Sequence, residues 1–242
     1  MRATVRLDEF EAIHSGEVRA EPQLWTVFWK LDGDTFARVL KRELEQGKLR
    51  PERIRNRGLS LDAVESAGEP ELVYRVPIQK GAFTGVSTGD VVELGHTWTT
   101  ELDGRGLLAP GESRIGLTVV MWELDTVGGA SNEDHYVELE QQVRRRLYRA
   151  VVQAVEDQRF DGGPFQLPAS VLPEAPEQDT MRDHWKKYFR GRLLKDDYVG
   201  SAVAHWTAAE LASRPTGNRL FLPTEGSEEG SWRLHFGAEV AK

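Results

Sequence analysis

Cysteine is absent from the 242 residues, which removes disulfides, thiolate catalysis, zinc ribbons and iron–sulfur clusters at once. A basic excess is missing as well: 31 Lys and Arg stand against 39 Asp and Glu, a formal charge of −8. A general nucleic-acid binder would carry a basic surplus or stripe, so no nucleic-acid partner is expected. Long apolar runs are also lacking. The longest uncharged apolar stretch, Ile115–Trp122, is too short to cross a bilayer, and MRATVRLDEFEAI holds no apolar leader region. The expectation is a soluble, cytoplasmic, globular chain with no transmembrane segment. Composition agrees: 39% hydrophobic and 29% charged residues allow a sizeable core and argue against disorder. Seven Trp supply large rigid packing surfaces.

Period-two alternation is the strongest local signal. Residues 2–8 place Ala3, Val5 and Leu7 on one face, and residues 24–31 align Trp25, Val27, Trp29 and Leu31. In the latter, Leu24 and Phe28 make the second face apolar too. Residues 71–78 and 232–240 alternate similarly, and 90–100, 114–123, 198–206 and 219–223 complete eight candidate strands. Such runs, separated by Gly, Pro and Asp, indicate a β-sandwich or barrel.

Two regions break the alternation. Residues 35–58 are basic, helical around 35–46, and interrupted by Gly47 and Pro51; they read as a long surface connection. From 132 to 158, Tyr136, Leu139, Val143, Leu147, Val151 and Val155 follow the three-and-four step of an amphipathic helix. Ser131 and Asp134 suggest its capping box. A Pro-rich link and a second helix at 177–190 follow. The whole chain, 1–242, reads as one domain, because the last strands need the first to bury their inner face.

Three strand junctions carry acids. Glu21-Pro22-Gln23-Leu24 leads into a strand, Ile115–Asp125 (IGLTVVMWELD) ends one in Glu-x-Asp, and Asp196-Asp197-Tyr198-Val199-Gly200 opens another. Trp206 and Glu210-Leu211 follow. This arrangement resembles the C2 domain, an eight-stranded antiparallel β-sandwich that many proteins use to bind calcium and phospholipid. The resemblance implies a mainly β, C2-like sandwich with a helical hairpin inserted at about 126–195. It also implies a calcium site drawn from Glu21, Glu123, Asp125 and Asp197, with Glu17 and Asp196 nearby. The chain departs from the family pattern where Ser15 stands in the place of a first-loop acid. Calcium takes six to eight oxygen ligands, so acids converging from separate loops suit it. Without a cation, such acids must pair with Lys or Arg, for which Arg19 and Lys195 are near in sequence, or hold a proton. Ordinary solvated loop carboxylates are the simpler account.

Other motifs are weaker. Gly85-Val86-Ser87-Thr88-Gly89 matches the pattern of serine hydrolases, whose serine needs a strand-to-helix elbow; here a strand follows, and a hairpin turn is expected. The acid and base that a triad with Ser87 would need, such as Asp103 and His205, exist in composition only. Six scattered His lack metal-ligand spacing, and Asp32-Gly33-Asp34 reads as a turn. In the stretch 182–192, Trp185 and Tyr188 interleave with Lys186, Lys187, Arg190 and Arg192, which suits an anionic membrane or packing against the sheets. The leading expectation is a non-enzymatic recognition module for a protein partner in a larger assembly, with calcium-assisted binding of anionic phospholipid as an accompanying expectation. A serine hydrolase using Ser87 and a β protein enclosing a small hydrophobic ligand are the alternatives.

Overall fold

Alternation and helical periodicity divide the chain between two kinds of element. The computed structural model describes residues 1–16, 19–69, 71–77, 80–123, 133–158, 161–167, 197–213, 216–222 and 230–241; for 133–135, 197–198 and 218–222 this means the backbone. The strands are β1 (Arg2–His14), β2 (Pro22–Leu31), β3 (Val73–Arg75), β4 (Val91–Glu101), β5 (Arg114–Glu123), β6 (Asp197–Thr207), β7 (Thr216–Leu222) and β8 (Ser231–Val240). The helices among the described residues are α1 (Gly33–Glu45), α2 (Pro51–Asn56), α3 (Leu61–Glu65), α4 (Glu133–Asp157) and α5 (Ala208–Ser213). The described fold is therefore mainly β, in two four-stranded sheets ordered β4-β1-β8-β7 and β3-β2-β5-β6. Every pairing within them is antiparallel.

The two faces of β2 and β5 are both buried along their full length. On one face, Leu24, Phe28, Ile115, Leu117, Val119 and Met121 share an apolar cluster with Val5, Leu7, Phe10, Trp232, Leu234 and Phe236 of the other sheet. On the opposite face, Trp25, Val27, Trp29, Leu31, Val120 and Trp122 meet α1 and α4. That double burial explains why residues 24–31 lack a polar face. Each fully buried side chain of this size contributes about 1.5–3 kcal/mol.

Helix α4 follows the expected stripe. Tyr136, Leu139, Val143, Leu147 and Val151 are buried against β2 and α1, while Glu140–Arg144 and Glu138–Arg145 pair on the polar side at 2.9 and 2.7 Å. β3 is only three residues long, shorter than the alternation at 71–78 predicts. Beyond it the Tyr136 hydroxyl takes the hydrogen bond of the Thr26 N–H at 2.8 Å and donates to the Thr26 carbonyl at 2.5 Å.

The 35–58 segment differs from its expectation as a surface connection. Phe36, Ala37, Val39, Leu40 and Ile54 are buried in the cluster under α4. The abundant Arg and Lys mask this stripe in the sequence, because most of them occupy the solvent side of α1 and α2. Ser131 and the 177–190 helix lie outside the described residues. Among the described residues no helix is long and apolar enough to cross a membrane.

Candidate functional site

The end of the second sheet is set by how three strands start and stop. Pro22 opens β2, Glu123 closes β5 and Asp197 opens β6. Pro22 pairs with Glu123, and Glu123 pairs in turn with Asp197, so the three form one cross-strand row. Adjacent strands lie about 4.8 Å apart, which brings positions remote in the chain within two strand spacings. A bulge in β6, where the register shifts between Met121 and Trp122, keeps this row aligned.

Glu123 continues the face of Ile115, Leu117, Val119 and Met121, the face that shares an apolar cluster with residues of the other sheet, and is only 2% exposed. Glu21 stands one residue before Pro22 and is half-buried. On the other face of the same end, the Trp25 indole donates to Gln23 at 3.3 Å, and Trp25 packs on Trp122 and Tyr136 at 5.3 and 5.7 Å between centroids. A rigid aromatic group thus backs the acidic end.

The expected site residues divide accordingly. Glu21 and the backbone positions of Glu123 and Asp197 are brought to one sheet end. Glu17, Asp125, Asp196 and Lys195 lie outside the described residues, as do Trp185, Lys186, Lys187, Tyr188, Arg190 and Arg192. Arg19 is exposed. Among the described residues no three His, Asp or Glu side chains are grouped to hold a metal.

Ser87 occupies a turn. Its N–H donates to the Asp90 carboxylate at 2.8 Å, Asp90 N–H donates back to its carbonyl at 3.0 Å, and positive φ at Gly85 and Gly89 bends the chain on either side. The turn leads into β4, which pairs antiparallel with β1, so Ser87 does not stand on a strand-to-helix elbow. Asp103 follows β4, and His205 lies in β6.

A charged knot at the opposite end of β2 has no counterpart in the sequence reading. Lys30 is 5% exposed, pairs with the fully buried Asp32 at 2.9 Å and donates to the Glu101 carbonyl at 2.8 Å. Asp32 also caps α1 by accepting from Thr35 N–H at 3.1 Å, and accepts from Asp103 N–H at 3.1 Å. Asp34 pairs with Arg105. Gly33 lies so near the Asp103–Gly104 backbone that a Cβ would fall 2.1 Å from the Gly104 oxygen. These carboxylates are consumed in joining strand to helix. Asp32-Gly33-Asp34 is therefore a helix start, and the only hint in the sequence was Asp followed three residues later by Thr.

Two histidines are held neutral by their surroundings. Burial lowers the pKa of His96, outweighing the hydrogen bond to the Lys80 carbonyl at 3.0 Å that favours its proton. Burial, then the positive charge of Arg114, lowers that of His205. Glu210 is shifted down chiefly by the Thr207 N–H, which it accepts at 2.7 Å while capping α5. Glu210-Leu211 is thus a helix start, at the far end of β6 from Asp197. No family model matches the chain, and no curated protein or solved structure matches it.

Proposed function

We propose that the chain is a C2-like recognition module whose acidic sheet end engages a basic surface on a protein partner. In this reading the two sheets stack as a β-sandwich, and the chain between β5 and β6 is elaborated over about 126–195 to give the end its specificity. The observation that carries it is the cross-strand row of Pro22, Glu123 and Asp197, with Glu21 beside it. Like charges gathered at one end raise the free energy of the unbound protein unless a cation or a Lys or Arg offsets them. The overall charge of −8 works in the same direction and steers basic surfaces toward the molecule. Calcium bridging a phospholipid headgroup is the second reading, supported by the same oxygen donors and requiring Asp125 as a further ligand.

Neutralising the acids separates these readings. If the end is a recognition surface, Glu21→Gln with Asp197→Asn raises the melting temperature by relieving repulsion. If calcium is the occupant, millimolar calcium raises the melting temperature of the native chain by mass action and leaves the double variant unmoved. A stabilised variant with no calcium response favours the protein partner. A destabilised variant with no calcium response means that the acids are structural ion pairs, and the proposal fails.

A further inference from the structure

The helix-side face of β2, β5 and β6 carries a group of polar atoms unconnected with the acidic end. Register places Trp29, Gly116 and His205 in one row, Leu31, Arg114 and Thr207 in the row on one side, and Val27, Thr118 and Val203 in the row on the other. The Trp29 indole lies over Gly116, where a Cβ would meet its Cζ2 at 2.5 Å. Its ring centroid is 6.1 Å from that of His205. Gly116 is therefore the residue that lets the indole lie against the sheet beside the imidazole.

Trp29 is fully buried, Thr118 is 1% exposed and Arg114 is 9% exposed. Even so, Trp29 Nε1, Arg114 Nε, Thr118 Oγ1 and His205 Nδ1 are buried with no hydrogen-bond partner among the described residues. Buried polar atoms are nearly always paired, so four such atoms on one face need a common explanation. The set is weighted toward donors. Indole and guanidinium N–H groups only donate, and the hydroxyl and the neutral imidazole can also donate. Two acids stand nearby: Glu112 Oε2 lies 3.9 Å from Arg114 Nη2 and accepts from Leu167 N–H, and Glu210, close enough to act on Arg114 and His205, caps α5; neither takes a hydrogen bond from Arg114 Nε.

The geometry points to a binding site for a small oxyanion, a carboxylate or a phosphate, on this face of the sheet. Arg114 supplies the charge, and Trp29, Thr118 and His205 supply directional donors. Charge-assisted hydrogen bonds of this kind are stronger than neutral ones and suit a desolvated setting. The competing occupant is ordered water, to which Trp29 and Arg114 can donate and from which Thr118 and His205 can accept, and the experiment separates the two.

The test follows the Trp29 indole N–H resonance of the intact chain, assigned by its loss in Trp29→Phe. Acetate and inorganic phosphate are titrated at ionic strength held constant with chloride. The expected result is a saturable shift with at least one anion, weakened about tenfold in Arg114→Gln, the effect of losing one strong interaction. Response to acetate alone assigns a planar carboxylate, and response to phosphate alone a tetrahedral anion. Thr118→Val keeps size and strand propensity, so it decides the matter if Arg114→Gln does not fold; it should weaken binding severalfold. No saturable shift with either anion, or unchanged affinity in a folded variant, assigns the face to ordered water and overturns the proposal.

Discussion

Tyr136 shows how one side chain joins a helix to a sheet. Its hydroxyl both accepts from and donates to Thr26, just past the end of β3, where Val76 N–H also reaches the Thr26 carbonyl at 3.0 Å. Tyr136→Phe keeps the stacking on Trp25 and removes both bonds; the Thr26 carbonyl still accepts from Val76 N–H at 3.0 Å, but the buried Thr26 N–H loses its partner. Urea denaturation should show a loss of about 1–3 kcal/mol; a change near zero would mean that water replaces the hydroxyl. His96 offers a second residue-scale test. Its folded pKa lies below the unfolded value because burial disfavours the cation. The stability it contributes is therefore present above the unfolded pKa, about 6.5, and is lost as pH falls below that. His205 acts in the same direction. The urea midpoint should drop between pH 7 and pH 5.5 by more in the native chain than in His96→Gln. An equal drop in both would contradict the assignment.

At the scale of elements, the junction of β2 and α1 depends on Asp32. It caps the helix, pairs with Lys30 and accepts from Asp103 N–H, all while fully buried. Asp32→Ala removes the cap and leaves the Lys30 ammonium with Asp34 at 4.0 Å as its remaining acid, for an expected cost of about 3–5 kcal/mol. Asp32→Asn retains cap geometry and should cost less, and equal losses in the two would show that the charge is irrelevant. The strands were legible because period-two alternation survives wherever one face is buried, and in β2 because aromatic and β-branched residues fill both faces. Helix α4 was legible from its stripe. The packing of α1 and α2 was not, since Arg38, Lys41, Arg42, Arg53 and Arg55 obscure the few apolar residues that decide it. The polar group on the helix-side face was not legible as a group: Trp29 reads locally as a core residue and His205 as an isolated histidine, Arg114 and Thr118 carry no motif, and the four share a face only through the register of three strands.

At the scale of the whole molecule, pairing of β1 with β8 ties the two ends of the chain together, from Ala3 opposite Val240 to His14 opposite Ser231. The sheet order then fixes what stands at each end of β5. The far end carries Arg114, opposite Leu31 and Thr207, and the near end carries Glu123, opposite Pro22 and Asp197. The acid-bearing junctions were visible in the sequence, whereas the backbone row that aligns them depends on the bulge in β6, which no local pattern announces. The proposed recognition surface rests on the gathering of these junctions at one sheet end. Because the chain has no cysteine, thiols can be placed at will. Glu21→Cys with Asp197→Cys should be joined efficiently by a bis-maleimide spanning about 10 Å, two strand spacings, while Glu21→Cys with Thr207→Cys, about 33 Å away along β6, should not. Single, unlinked labelling of both thiols in the first pair, or equal linking in the two pairs, would contradict the account.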